Sequence, residues 1–230
     1  MTVTEALLTP LLAEPGRPLI THYDDVEGTR VELSRATAAN WAAKTANWLR
    51  DEHDVEPGDP VAVLLPAHWQ TLGVLLGAWW CGASVVDAPA GAKVALVAPG
   101  GEAPGAEVTS VVSLHPMGLG TGTPGDFLDE VRMFGDDFVP HAPVPGSTAA
   151  LGWSTVDEVV AEARSRAAVL GIGPGTRALS TVEWNQPDGL LNGVLAVLAG
   201  GGSLVQCSNP NPDLLPGRRA SERTTIDLVG

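Results

Sequence analysis

The chain reads as an α/β protein of two related subdomains with largely parallel sheets flanked by helices. Three observations predict this. One stretch is written twice: residues 55–86 are VEPGDPVAVLLPAHWQTLGVLLGAWWCGASVV, and residues 172–205 are IGPGTRALSTVEWNQPDGLLNGVLAVLAGGGSLV. Each copy runs through a Pro-Gly turn, a short apolar strand, an apolar segment of helical length, a glycine step and another apolar strand. That is the order of a βαβ crossover between parallel strands. The copies also keep step, since Pro57 and Pro174 are 117 positions apart and Gly82 and Gly201 are 119 apart. A stretch carrying Pro140, Pro143, Pro145 and Gly146 sets the boundary between a first subdomain, 1–140, and a second, partial one, 141–230, together one structural unit.

Taken in order, residues 19–23 and 30–33 read as two short strands of a hairpin around Glu27-Gly28. Ser34 is suited to cap a helix, and Ala38, Trp41, Ala42, Thr45, Trp48 and Leu49 follow at three-four spacing to about Asp51. Trp41 and Trp48 share a face, and aromatics at that spacing dock on a sheet rather than stack on a ligand. Pro57-Gly58-Asp59 turns into a buried strand, 61–65, that Pro66 ends. The helix 69–81 is apolar nearly all round and is therefore sandwiched. Residues 84–87, 94–97 and 109–114 read as strands, the rest of 88–105 as loop, and 125–134 as a short helix. Ser154 or Thr155 caps a second long helix, 156–170, with Asp157 and Glu158 in the first turn where the dipole favours acids. After the second copy of the repeat, a last strand is expected at 224–229.

Composition narrows the function. At 230 residues, with 44% hydrophobic and 17% charged residues, the chain has the make-up of a globular protein with a sizeable core. A net charge of −14 speaks against nucleic acid and anionic membranes as partners, and the 13 Lys and Arg are scattered along the sequence. Cys81 and Cys207 read as buried free thiols, and no CxxC or Cys/His cluster offers a metal site. His22, His53, His68, His115 and His141 are dispersed, with His68 a helix-start residue. Asp24-Asp25 and Asp136-Asp137 read as solvated pairs. The first residues lack a basic leader, and the apolar runs at 72–86 and 190–205 are too short and glycine-bearing to span a membrane, so the cytoplasm is expected.

The residues carry a resemblance. The long helix, VEPGDPVAVLLP, LGAWWCGASVV and GIGPGTRALSTVEWNQPDGLLNGVLAVLAGGGSLV resemble the N-terminal region of AMP-binding, adenylate-forming synthetases: acyl-CoA synthetases, peptide-synthetase adenylation domains and luciferases. In length the chain is similar to the short relatives of these enzymes in high-GC bacteria. The resemblance implies two related α/β subdomains. For the enzymes it implies activation of a carboxylate with ATP as an acyl-adenylate, so ATP or AMP is the cofactor it points to. The family's phosphate loop, TSGTTG-x-PKG, needs backbone amides, hydroxyls and a lysine. Aligned on Ser154, this chain offers only Gly146 at a signature glycine, Ala149 at the lysine, and Pro143 and Pro145 where amides are wanted. Gly146, Ser147 and Thr148 are the phosphate-binding candidates that remain, and no lysine or arginine follows before Arg164. No catalytic residue is assigned.

EWNQPDG, 183–189, stands where the family has an aromatic/His loop beside its acyl pocket, so Trp184, Asn185 and Asp188 are the ligand-binding candidates. A capped strand-to-helix turn is the alternative for these residues. GTGTPG at 120–125 matches GxGxxG in form, but His115–Leu119 intervene after the strand and Pro124 removes an amide, so a loop is expected. Without a phosphate loop the chain is expected not to adenylate by itself, and to act as a small-molecule-binding or protein-interaction module. The alternative is a ligase-type enzyme, acyl- or nucleotide-handling, active with a partner or through a rebuilt site. In the full synthetases further segments cover the sheets, so a homodimer or protein partner is expected, with a small acyl or nucleotide ligand.

Overall fold

A computed structural model describes residues 1–228. Helix α1 (Val3–Leu7) starts on a capping box, Thr2 accepting the Glu5 amide while Glu5 accepts the Thr2 amide at 2.7 Å. A 3₁₀ turn (Thr9–Ala13) leads to strands β1 (Pro18–Asp24) and β2 (Thr29–Ser34), which form the expected hairpin. Ser34 caps α2 (Arg35–Asp51) through the Thr37 amide at 3.1 Å. The first crossover is β3 (Pro60–Leu64), α3 (Trp69–Cys81) and β4 (Ser84–Val86), with Val61 beside Val85 in parallel register. Strands β5 (Val94–Val97) and β6 (Val108–Val111) follow, then the short helix α4 (Phe127–Val131).

A second hairpin, β7 (Ala149–Leu151) and β8 (Ser154–Thr155), runs into α5 (Val156–Val169), capped by a Thr155–Glu158 box. The second crossover is β9 (Arg177–Ser180), α6 (Asp188–Leu190), a π-helical turn (Leu191–Leu195), α7 (Ala196–Ala199) and β10 (Ser203–Ser208). Here too the strands are parallel, Leu204 beside Ala178. Helix α8 (Leu215–Glu222) and β11 (Ile226–Leu228) complete the described chain, and the expected strand's residue 229 lies outside it.

The strand orders are β6-β5-β3-β4-β7-β8 and β11-β9-β10-β1-β2, parallel throughout except within the two hairpins. Sheet membership does not follow a cut at residue 140. The β1–β2 hairpin pairs with β10, Ile20 beside Leu204, and β7–β8 extends the first sheet. The physical reason is that an isolated hairpin is marginal, and β1 has a free edge that β10 completes.

One core joins both sheets to α1, α2, α3, α5 and α7. Helix α3 is apolar all round because it is buried on every side, and Trp79 Nε1 donates to the Ala150 carbonyl at 2.8 Å. It meets α2 at van der Waals limits: a Cβ on Gly77 would lie 2.3 Å from Thr45 Cβ. Trp41 and Trp48 meet aromatic rings of the neighbouring helices α3 and α4. Trp41 lies edge-on to Trp69 at 5.6 Å, and Trp48 edge-on to Phe127 at 5.2 Å. Cys81 and Cys207 are buried free thiols, and burial pushes them up to about 12 and about 11. Asp24-Asp25 is not a solvated pair: Asp25 is enclosed and accepts from Arg218 Nη1 at 2.8 Å, holding α8 to the end of β1. Among the described residues no helix is long and apolar enough to cross a membrane.

Candidate functional site

In open α/β sheets the carboxyl ends of the strands converge on the crevice where ligands bind. In the second sheet these ends are polar. Ser180 ends β9, Gln206 and Ser208 end β10, and His22 lies near the end of β1. His22 Nε2 is 2.9 Å from Ser208 Oγ, and Ser208 Oγ donates to the Ala67 carbonyl at 2.5 Å. Because the Ser208 proton goes to that carbonyl, the His22 proton sits on Nε2 and points at Ser208. Ser208 is therefore not a nucleophile primed by the ring. His68, from the loop after β3, packs edge-on against His22 at 4.4 Å and caps α3 by accepting the Gln70 amide on Nδ1 at 3.1 Å. This seam of imidazoles and hydroxyls locks the two sheets together. Burial lowers His22 to about 4 against the pull of Asp24, and lowers His68 to about 3 with help from the His22 ring.

Beyond β9 the chain forms the loop 181–187, with a cis peptide at Gln186-Pro187. Ser180 Oγ accepts the Val182 amide at 3.1 Å, and Gln206 Nε2 donates to the Val182 carbonyl at 3.1 Å. Trp184 is buried, and its indole lies over Gly193, whose absent Cβ would meet Nε1 at 3.3 Å. Gly193 sits inside the π-helical turn, a local widening that occurs often at functional sites. Trp184 Nε1 and Gln206 Oε1 have no partner among the described residues. Asn185 is exposed and contributes its carbonyl, which accepts the Leu190 amide at 3.2 Å.

Asp188 borders a groove of about 560 Å³ between this loop and α5, together with Leu151, Ser154, Glu158, Glu162 and Arg166. Arg166 is held from both sides, by Glu162 at 2.7 Å and Asp188 at 2.8 Å. Asp188 thus stands in the groove wall beside Pro187 and Leu191, whereas Trp184 is buried in the core and does not line the groove.

It places Gly146, Ser147 and Thr148 elsewhere. They precede β7, at the amino end of the first sheet, in a turn where the Thr148 amide donates to Pro145 and Thr148 Cγ2 lies near Gly58. The Asp157 carboxylate occupies the space beside Gly146, 2.2 Å from where a Cβ would stand. In this turn the Thr148 amide is committed and a carboxylate stands beside Gly146. The loop at 120–125 is likewise filled by the chain's own acids: Asp126 takes the Thr121, Leu128 and Asp129 amides. Sequence reasoning missed the seam of His22, His68, Gln206 and Ser208, whose members are far apart in the chain and belong to no motif.

The fold is that of the N-terminal domain of acyl-CoA synthetases. The acyl-CoA synthetase of Brucella canis superposes on all of this chain with a TM-score of 0.81 at 17% identity, and the chain spans 47% of that enzyme. The N-terminal domain of FACL13 from Mycobacterium tuberculosis superposes on 99% of the chain with a TM-score of 0.74 at 15% identity, the chain spanning 62% of it. MatB of Rhodopseudomonas palustris superposes on 99% with a TM-score of 0.75 at 16% identity, the chain spanning 49% of it. The chain thus spans about half the length of the Brucella canis synthetase and of MatB. No family model matches it. A protein of Mycobacterium tuberculosis (strain ATCC 25618 / H37Rv) described as a TIGR03089 family protein is 44% identical over 239 residues, spanning 97% of both chains. The chain belongs to that family.

Proposed function

We propose that this chain is a non-adenylating binding module that keeps the synthetase scaffold and holds a small organic molecule, not a nucleotide, in the groove beside Asp188. One observation carries the proposal: the charge of the groove. Glu158, Glu162 and Asp188 face it against a single guanidinium, Arg166, which two of those acids already neutralise. The β7–β8 hairpin closes through Gly152-Trp153 alone, and the next cation in the chain is Arg164. A nucleoside triphosphate would enter a net negative groove with no lysine to meet it. An uncharged or amine-bearing molecule would not.

Two measurements test this. Pyrophosphate exchange into ATP, run with a panel of carboxylates, is expected to stay at background, and exchange by the pure protein overturns the proposal. Octanamide and octylamine should bind the wild type saturably in calorimetric titration, and octylamine should bind more weakly to Glu158→Gln; no saturable heat with either refutes the binding role. The same exchange assay separates the alternative, a ligase completed by a partner chain. The observation favouring that alternative is the synthetase match over one half only, and exchange that appears on adding the partner would establish it.

We also propose that the chain self-associates or takes a protein partner through the outer face of the first sheet. Trp153 is 98% exposed there, beside an apolar cavity of about 540 Å³. Sedimentation velocity should show a species larger than the monomer that Trp153→Ser reduces. A monomer at every concentration with no partner found would refute it.

A further inference from the structure

The amino edge of the second sheet holds a second site, remote from the groove and unrelated to it in charge. We propose that it binds a phosphate-type oxyanion. A cavity of about 400 Å³ opens there, at the starts of β1, β9 and β10, and four arginines line it: Arg17, Arg35, Arg177 and Arg223. The whole chain has only 13 Lys and Arg against 27 acids, so this concentration reverses the local sign of an acidic protein. Glu222 is the single acid in the wall, and it is spent on Arg30 at 2.8 Å and on Arg177 at 2.5 Å. Glu14 pairs with Arg17 at 3.0 Å and reaches Arg35 only at 3.5 Å.

Arg35 carries the argument furthest. It is 5% exposed, yet it uses only Nη1 for the fold, donating to the Leu11 carbonyl at 3.0 Å, and its buried Nε has no partner among the described residues. A desolvated, unsatisfied guanidinium N–H is costly unless something accepts from it. An oxyanion is the group that a planar guanidinium fork accommodates through two parallel N–H bonds. Arg223 supplies the second cation. It caps α8 in the left-handed conformation at φ 51, a place where glycine is usual, and it enters no ion pair among the described residues. Gly175 and Gly201, both at positive φ, keep the mouth of the cavity free of side chains.

The repeat provides an internal control. At the matching edge of the first sheet, Gly58, Pro60 and Ser84 stand where Gly175, Arg177 and Ser203 do, and the cavity they line holds no Lys or Arg and one acid, Asp87. The two edges share a backbone plan and differ in charge. Only Arg177 of the four arginines lies within the second copy, so the cluster is no requirement of the repeated unit.

The test is calorimetric titration of the full chain with inorganic phosphate at constant ionic strength, chloride balancing each step. Saturable binding is expected, weakened at least about tenfold in Arg223→Gly, a loss of about 1.4 kcal/mol. That variant keeps the fold because glycine suits the left-handed cap. Arg35→Gln is the second variant, and its thermal midpoint with and without phosphate separates lost binding from lost folding. Glycerol phosphate binding tighter than inorganic phosphate assigns the site to a phosphorylated metabolite, and the reverse order assigns it to free phosphate. No saturable heat in the wild type, or equal affinity in Arg223→Gly, overturns the proposal.

Discussion

Acidification from about pH 7.5 to pH 5 is expected to remove about 4 kcal/mol of folding stability through two rings, His22 and His68. Both are buried, at 1% and 7% exposure. Their folded values, about 4 and about 3, lie below the ordinary 6.5 because burial penalises the imidazolium. The geometry agrees: His68 Nδ1 accepts the Gln70 amide at a helix N-terminus, a place that a proton on that nitrogen would destroy.

The sign follows from which state binds the proton. Above pH 6.5 both states are neutral and stability is flat. Below it, the unfolded chain takes up protons that the fold excludes, so stability falls until the folded rings titrate near 4 and 3. At pH 5 each ring contributes about 1.5 pH units at 1.36 kcal/mol, or about 2 kcal/mol. That sum is a large share of a domain's total of roughly 5–15 kcal/mol. The carboxylates held low, Asp24, Asp126 and Glu222, titrate beneath this window and do not contribute to it. Urea unfolding followed by tryptophan emission at both pH values measures the drop. A His22→Gln, His68→Asn double variant keeps a donor toward Ser208 and a good N-cap, and it should retain only the smaller slope of His53, whose value burial also lowers. Equal unfolding free energies at the two pH values, or an undiminished drop in the double variant, would refute the reasoning.

Gly77→Ala forces a Cβ to 2.3 Å from Thr45 Cβ and is expected to cost about 1–3 kcal/mol, read as a lower thermal midpoint. Thr155→Ala removes one half of the α5 capping box and should cost about 1 kcal/mol in urea unfolding. Cys81 and Cys207 should stay unreactive to a disulfide reagent near pH 8 until the chain is unfolded, since burial holds both thiols protonated at about 12 and about 11. Glu222→Gln should act in two directions at once. It takes one of two shared carboxylates from Arg30 and Arg177, Glu32 remaining at 2.9 and 3.5 Å, costing about 1–2 kcal/mol at neutral pH, while tightening phosphate binding in the arginine cavity. The wild-type contribution of Glu222 is present above pH 4.5 and is lost as pH falls toward about 2: burial raises this carboxyl, and hydrogen bonds from Arg30, Tyr23 and Arg177 more than reverse that.

What was legible in the sequence is what neighbouring residues decide among themselves. Ser34, Thr155 and His68 announce their helices because a cap acts over three residues. The repeat announces two crossovers because a Pro-Gly turn, a strand, a helix and a glycine step are each local. Partnership between distant strands has no such signal. Nothing in residues 18–34 says that the hairpin will pair with β10, Ile20 with Leu204, 184 positions later, and a division at residue 140 misses it. The candidate site was legible in part for the same reason. Trp184 and Asp188 lie four residues apart and could be named together, whereas the seam of His22, His68, Gln206 and Ser208 is assembled only by tertiary contact.

The arginine cavity is the extreme case. Its four cations come from positions 17, 35, 177 and 223 and look scattered along the chain. The fold gathers them because β1, β9 and β10 start side by side. Yet the repeated unit does not demand them, since the first copy builds the matching edge around Gly58, Pro60 and Ser84 with no cation. The carboxyl side reverses the sign again, with Glu158, Glu162 and Asp188 set against Arg166. Turn glycines and strand apolarity recur in both copies because the backbone requires them; charge at the edges does not recur. A feature that the scaffold leaves open, and that costs an unsatisfied buried guanidinium to maintain, is explained by a ligand that accepts from it.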